Sequence, residues 1–347
     1  MDRSGTSGAL GGASVGCQRV PRLPRSSLAA LLLLAAGASR AAAPAPARLE
    51  RSVYAMGTQL RVEVEGPSEE VARTATEAAI RESERIEAAC STWRDDSAWS
   101  RLNTARGAEV PLDGEWLALL DTVLAWNRST EGAFDPVLGA LIGVWGLRHG
   151  GRTPTRAELE AAREASGASL LTLDRGRGVA RLRHPRAAVE EGGFLKGYAL
   201  DRMAAVLRRS GVQAALLDFG GQLLAYGRPR SASLAAPDDR QRSTLELQLR
   251  EGSLSSSGTS EHGRHILDPA TGERCPAWGS TAVLASEGLA ADVLSTALYV
   301  LGPDRGLAWA NRHQVAAVFQ RPGQPPLLTE RFRALQSHPD VAPRSSP

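Results

Sequence analysis

Residues 189–201 read VEEGGFLKGYALD, and this stretch constrains the chain more than any other. Glu190 and Glu191 lead into Gly192 and Gly193, after which Ala199, Met203 and Val206 recur at helical spacing. A glycine pair ahead of a helix lets the backbone approach a ligand closely. The unpaired N–H groups of the first helical turn then suit a phosphate. The chain has 41 Lys plus Arg residues, yet Lys196 is its single lysine. A compact, flexible ammonium beside a double glycine, in a chain that otherwise uses guanidinium forks, suggests a binding site. A helix entry with a snorkelling lysine is the plainer alternative. The G-x-x-x-x-G-K-[ST] spacing of a Walker loop is absent, and Tyr198 stands near where its hydroxyl ligand would be.

Composition excludes several classes. The 347 residues suffice for one large or two ordinary domains, and a 42% hydrophobic content supplies a core. A net charge of +3, with both signs interspersed, gives no argument for nucleic acid. Three cysteines are too few for a disulfide framework; Cys17 lies in the leader, which leaves Cys90 and Cys275 as an undecided pair. No zinc-ligand spacing occurs. Arg19, Arg22 and Arg25 precede an apolar run over residues 28–36, followed by small residues with cleavage options near 41–43. That pattern predicts a signal peptide and leader over residues 1–43, an exported, periplasmic protein, and a start codon that can lie downstream of Met1. The run is too short to cross a bilayer, so no transmembrane segment is expected in the mature chain.

An Ala/Pro linker is expected over residues 44–50, a single domain over 51–320 and a Pro-rich mobile tail over 321–347. Within the domain, alternation from Val53 through Leu60, Val62 and Val64 predicts a strand with Met56-Gly57-Thr58 inside it. Ser68 is the predicted cap of a long helix ending near Cys90. A polar loop with Trp93 follows, then a helix through Trp116, Val123 and Trp126, a turn at 133–136 and a short helix over 155–163. Residues 170–173 and 179–182 form a predicted hairpin. Further strands are expected at 214–219, 244–249, 281–285 and 315–319, a Ser-rich loop at 253–260 and a helix over 289–301. The mixture predicts an α/β or α+β fold with mixed sheets flanked by helices.

Two further groups could carry chemistry. Asp292 and Thr296 stand at i and i+4, so a carboxylate and a hydroxyl share one helix face, an oxygen pairing that suits Mg²⁺. The alternative is that Asp292 caps a neighbouring loop and Thr296 bonds back to its own helix. His265, ahead of an Asp-Pro turn, can accept a proton near neutral pH or simply be solvated. No serine or cysteine occupies a nucleophile-elbow context.

Taken in order, MGT (56–58), STWRDDSAWSRLN (91–103), EGAFDP (131–136), VEEGGFLKGYALD (189–201), LLDFGG (216–221), HILDPATG (265–272) and ADVLSTALYVLG (291–302) closely resemble the FAD:protein FMN transferases of the ApbE family. The resemblance spans residues 50–320. It implies an ApbE-type fold and Mg²⁺-dependent transfer of the FMN half of FAD onto a threonine or serine hydroxyl of an acceptor flavoprotein, with release of AMP. Carried over by position, it implies that Met56, Trp93, Ala133, Phe134, Asp135, Glu190, Lys196 and Ile266 line the FAD site. Asp292, Thr296 and the Gly193 carbonyl would hold Mg²⁺, Asp292 being counted with the catalytic residues, and His265 would be the base that activates the acceptor hydroxyl. The implied acceptors are flavin-bearing subunits of membrane electron-transfer complexes. Two other readings stay open: a Mg²⁺-dependent FAD pyrophosphatase giving free FMN, and a non-catalytic flavin binder. The chain departs from the family pattern at Trp93 (usually tyrosine), Glu190 (usually aspartate), Glu191 (usually apolar), Leu195 (usually alanine) and Asp218 (commonly asparagine).

Overall fold

The computed structural model describes residues 46–258 and 265–337. The predicted leader and the last ten residues lie outside them. An eight-stranded sheet organises the chain, in the order β1 (Ala47–Ala55), β2 (Thr58–Gly66), β6 (Ala214–Phe219), β7 (Gln222–Tyr226), β10 (Gly252–Gly258), β11 (Ser280–Ala285), β12 (Ala316–Gln320), β13 (Leu327–Leu328). Every neighbouring pair is antiparallel. A small sheet of β3 (Glu109–Pro111), β5 (Val179–Leu182) and β4 (Leu171–Asp174), and a hairpin of β8 (Arg230–Ala236) with β9 (Asp239–Leu249), complete the strands. The hairpin read at 170–182 is therefore β4–β5.

Alternation along the large sheet buries both its faces. Leu217 and Phe219 of β6, Val283 of β11 and Ala317 and Phe319 of β12 point to one side. They meet α1 (Glu69–Cys90), α6 (Leu195–Arg209) and α7 (Gly288–Arg312), whose Ala79, Met203, Val293 and Ala297 join the same core. Ala282, Leu284 and Val318 point the other way, onto Leu234 and Leu249 of the β8–β9 hairpin and Phe332 and Leu335 of α8 (Glu330–Ser337). Each fully buried Leu or Phe of this kind contributes ~1.5–3 kcal/mol over leaving it in water. The remaining helices, α2 (Ala98–Thr104), α3 (Gly114–Ser129), α4 (Gly139–Val144) and α5 (Arg156–Glu164), precede the glycine motif in the chain.

Local chemistry explains several boundaries. Ser68 Oγ accepts from Val71 N at 3.2 Å and starts α1. Thr155 and Glu158 form a reciprocal capping box at α5. The mixed strand-and-helix fold expected from sequence is present, but several local readings need correction. Met56 and Gly57 are not inside a strand: at φ +44° and +76° they form the two-residue turn of the β1–β2 hairpin. β1 begins at Ala47, within the stretch read as linker. Residues 253–258 are not a loop but β10, a central strand of the sheet. Its Ser255 and Ser257 face α7, which packs closely over them. Residues 327–337 of the expected tail form β13 and α8, because Phe332 and Leu335 have a core to enter. α7 continues to Arg312, past a kink where Gly302 takes φ +75° ahead of Pro303. Cys90 and Cys275 are both buried and no disulfide joins them.

Candidate active site

The glycine motif opens α6, and α6 crosses the start of α7 with the two backbones in contact. A Cβ on Gly197 would fall 2.2 Å from Gly288 O, and one on Gly288 would fall 2.4 Å from Gly197 O. No other residue fits at either place. Each helix also caps the other. Asp201 on α6 accepts from Gly288 N at 2.6 Å and Leu289 N at 2.8 Å, and Asp292 on α7 accepts from Gly197 N at 3.1 Å. These are orphan donors of first helical turns, so the crossing satisfies both N-termini with buried carboxylates. Burial pushes the Asp201 carboxyl up to about 7 against the pull of its two backbone donors. Burial also raises the Asp292 carboxyl, with Lys196 and the Gly197 N–H opposing it.

Around this crossing the structure gathers four of the residues singled out from sequence. Gly193 lies against Thr296: a Cβ there would sit 3.5 Å from Thr296 Oγ1 and 3.4 Å from the Phe134 ring. Lys196 is half-buried with Nζ 3.5 Å from Gly192 O. Ser257 Oγ of β10 stands 3.4 Å from Thr296 Oγ1. It is Ser295, not Thr296, whose hydroxyl bonds back to its own helix, at Asp292 O. Asp292 does cap a neighbour, but only Oδ2 is engaged in that bond.

These donors fit a magnesium ion. A buried carboxylate, a hydroxyl and a glycine carbonyl are hard oxygen ligands, and a buried carboxylate resisting ionisation gains from a cation. Among the described residues no group of three His, Cys, Asp or Glu side chains converges. An ion here would therefore need substrate oxygens and water to complete its shell.

A second group stands on the other side of the glycine pair. Glu190 pairs with Arg148 at 2.5 Å, and Glu191 accepts from Thr92 N at 2.8 Å and Thr92 Oγ1 at 2.6 Å. The Arg148 guanidinium lies over the Trp93 ring, 4.5 Å from its centroid. Burial and the neighbouring Glu191 charge push the Glu190 carboxyl up to about 7, with Arg148 opposing. A cleft of about 420 Å³ opens here, lined by Thr92, Asn103, Ile142, Arg148, Val189 and Glu190 among others. Asn103 exchanges two hydrogen bonds with the Val189 backbone and so fixes the strand of chain that delivers Glu190.

The remaining candidates are placed differently. Asp135 is committed to the fold: its oxygens accept from Val137 N, Ala168 N and Asn127 Nδ2. Phe134, next to buried Ala133, meets Phe194 edge-on at 6.0 Å and floors the approach to Gly193. Met56 is at the tip of the β1–β2 turn, half-buried. His265 is exposed, directly ahead of buried Ile266, which packs with Cys275 and Tyr299. Asp218 Oδ1 accepts from Gly221 N at 2.9 Å and closes the β6–β7 turn, and Leu195 is buried at the start of α6. Sequence reasoning missed Arg148, Thr92, Asn103 and Ser257 as members of the site. It also missed Asp201, although that residue ends the glycine motif one helical turn beyond Gly197.

A sequence profile of the ApbE family matches residues 56–319. The FAD:protein FMN transferase of Haemophilus influenzae is 28% identical over 254 residues, covering 67% of this chain and 73% of its own. The apo crystal structure of the flavinyl transferase ApbE of Pseudomonas stutzeri superposes with a TM-score of 0.75 at 29% identity, over 84% of this chain and 97% of that one. The ApbE protein of Thermotoga maritima does so with a TM-score of 0.77 at 25% identity, over 84% and 99%.

Proposed function

The chain belongs to the ApbE family, and from that premise we propose that it moves the FMN half of FAD onto a threonine or serine hydroxyl of an acceptor flavoprotein, with Mg²⁺ required and AMP released. Its relatives' names make it a flavinyltransferase with FAD as substrate. What supports the finer reading is one observation: Gly193, Lys196, Asp292 and Thr296 meet where α6 crosses α7.

In this reading the acceptor oxygen attacks the phosphorus bonded to the riboflavin moiety. The phosphoanhydride bond to AMP breaks, and AMP leaves with its phosphate oxygen. The acceptor proton passes to neutral His265, whose exposure suits a partner arriving from solvent. The ammonium of Lys196 attracts the pyrophosphate, and the α6 N-terminus adds its partial positive charge. Trp93 and Glu190 belong to the part of the site that receives the rings and sugar, with Phe134 closing the floor and Met56 and Ile266 further out. Asp292, Thr296 and the Gly193 carbonyl would hold Mg²⁺, and the ion would supply positive charge against the phosphate oxygens. In this reading the leader expected over residues 1–43 would export the enzyme, and its acceptors would be flavin-bearing subunits of membrane electron-transfer complexes. Among the described residues no helix is long and apolar enough to cross a membrane.

Incubation with FAD and Mg²⁺, with and without an acceptor peptide, tests the proposal. Peptide gaining the FMN moiety is the expected product. Free FMN in both arms would replace transfer with pyrophosphate hydrolysis, and bound but unconverted FAD would leave only binding.

A further inference from the structure

We propose, resting on the flavin-transfer reading above, that Arg148 is a positioning residue for FAD: it fixes the Trp93 ring in advance as a wall against which one ring of the dinucleotide stacks. Trp93 is 66% exposed on a polar loop after α1. An indole on such a loop would otherwise sample rotamers and lose that freedom when a ligand arrives. Arg148 removes the freedom beforehand. Its guanidinium covers one face of the ring, Nη1 donates to Thr92 O at 3.0 Å, and Nη2 donates to Thr92 Oγ1 and to Glu190 Oε2.

The grip is two-sided. Thr92 Oγ1 accepts from Arg148 and donates to Glu191 Oε2, while Thr92 N donates to Glu191 Oε1. Consecutive glutamates of the glycine motif therefore hold the aromatic loop, Glu191 directly and Glu190 through Arg148. Since Gly192 and Gly193 follow at once, the loop is tied to the chain that approaches the pyrophosphate. The arrangement also settles an electrostatic conflict. A carboxylate at Glu190 beside a dianionic substrate would repel it, and the paired guanidinium offsets that charge. Arg148 and Thr92 both line the cleft, so the ring's support stands where the ligand would lie. A lysine at 148 would bring a compact ammonium that cannot stack on the indole as a plane; the guanidinium fork reaches three acceptors while stacking.

Flavin fluorescence quenching gives FAD affinity, and FMN-peptide formation gives kcat and KM. In Arg148→Ala, FAD binding and KM should weaken about 10-fold while kcat stays within about twofold, since the contact is the same in ground and transition states. Trp93→Ala should weaken binding by about 10-fold or more, and adding Arg148→Ala to it should change little further, because Arg148 acts through the ring. Arg148→Lys should recover only part of the loss. Unchanged binding in Arg148→Ala, losses that multiply in the double variant, or a loss confined to kcat would each overturn the assignment. Should Arg148→Ala fail to melt cooperatively, Arg148→Lys, which keeps the charge, carries the same comparison with Trp93→Ala. Wild type that binds no FAD would instead sink the flavin-transfer reading and this assignment with it.

Discussion

Two halves of the site are built on opposite principles. Where α6 crosses α7, backbone touches backbone at Gly197 and Gly288, and two buried carboxylates satisfy helix N-termini. Across the glycine pair, half-buried Arg148, Glu190 and Thr92 line the cleft, held by buried Glu191 and carrying the exposed, stacked Trp93. The first admits almost no substitution, because its spacing is set by peptide groups. The second can be rebuilt from other side chains, because any set that holds an aromatic loop in place will serve. The chemistry is assigned to the rigid half and affinity for the rings to the adjustable half.

Substitutions in the rigid half should break the molecule before they tune it. Gly197→Ala drives a Cβ into a carbonyl oxygen that belongs to a packed helix, so it should cost at least ~3 kcal/mol in urea unfolding and abolish transfer. Wild-type stability in this variant would dissolve the contrast between the halves. Asp292→Asn keeps an oxygen for Gly197 N but loses the charge. Transfer should fall about 10²-fold or more with a stability change under ~1 kcal/mol, read by activity and melting together.

The crossing should also be sensitive to pH. The Asp201 carboxyl titrates at about 7 in the fold, against roughly 3.9 for a free aspartate, so the unfolded chain ionises first as pH rises. Stability of the metal-free protein should therefore fall between about pH 4 and 7, by on the order of 4 kcal/mol, and level off above. Asp201→Asn should flatten that slope. Smallest is the expected effect in the adjustable half. Thr92→Val removes the hydroxyl between Arg148 and Glu191, and should raise KM for FAD a few-fold with kcat and melting nearly unchanged, a loss of ~1 kcal/mol in binding.

The same contrast governs what could be read from the sequence. The α6–α7 half was visible as local patterns, GGxxKG before a helix and Asp292 with Thr296 at i and i+4, although each also had a plainer structural reading and the Asp292 cap is present. Ser68, Thr155 and the 170–182 hairpin were legible for the same reason. Arg148 was not, because it lies in a glycine-rich turn, Gly146 to Gly151, that carries no period, and its partners are 42 and 56 residues away. β10 was hidden because its sequence, GSLSSSG, lacks the apolar alternation of a strand. Ser255 and Ser257 face α7, and pairing on both sides supplies what propensity does not. Met56-Gly57 lacked the usual Asn-Gly signal of a tight turn, so the hairpin read as one strand. Asp135 carried a family role, yet its carboxylate is occupied by three donors of the fold.

The most direct measurement is a Mg²⁺ titration of FMN-peptide and AMP formation from FAD, run side by side on wild type and Asp292→Asn. Wild type should form both products in equal amounts, in proportion to bound Mg²⁺, while the variant stays about 10²-fold slower at every concentration. Equal products without Mg²⁺, or an Asp292→Asn variant as fast as wild type, would contradict the assignment of the chemistry to the α6–α7 crossing.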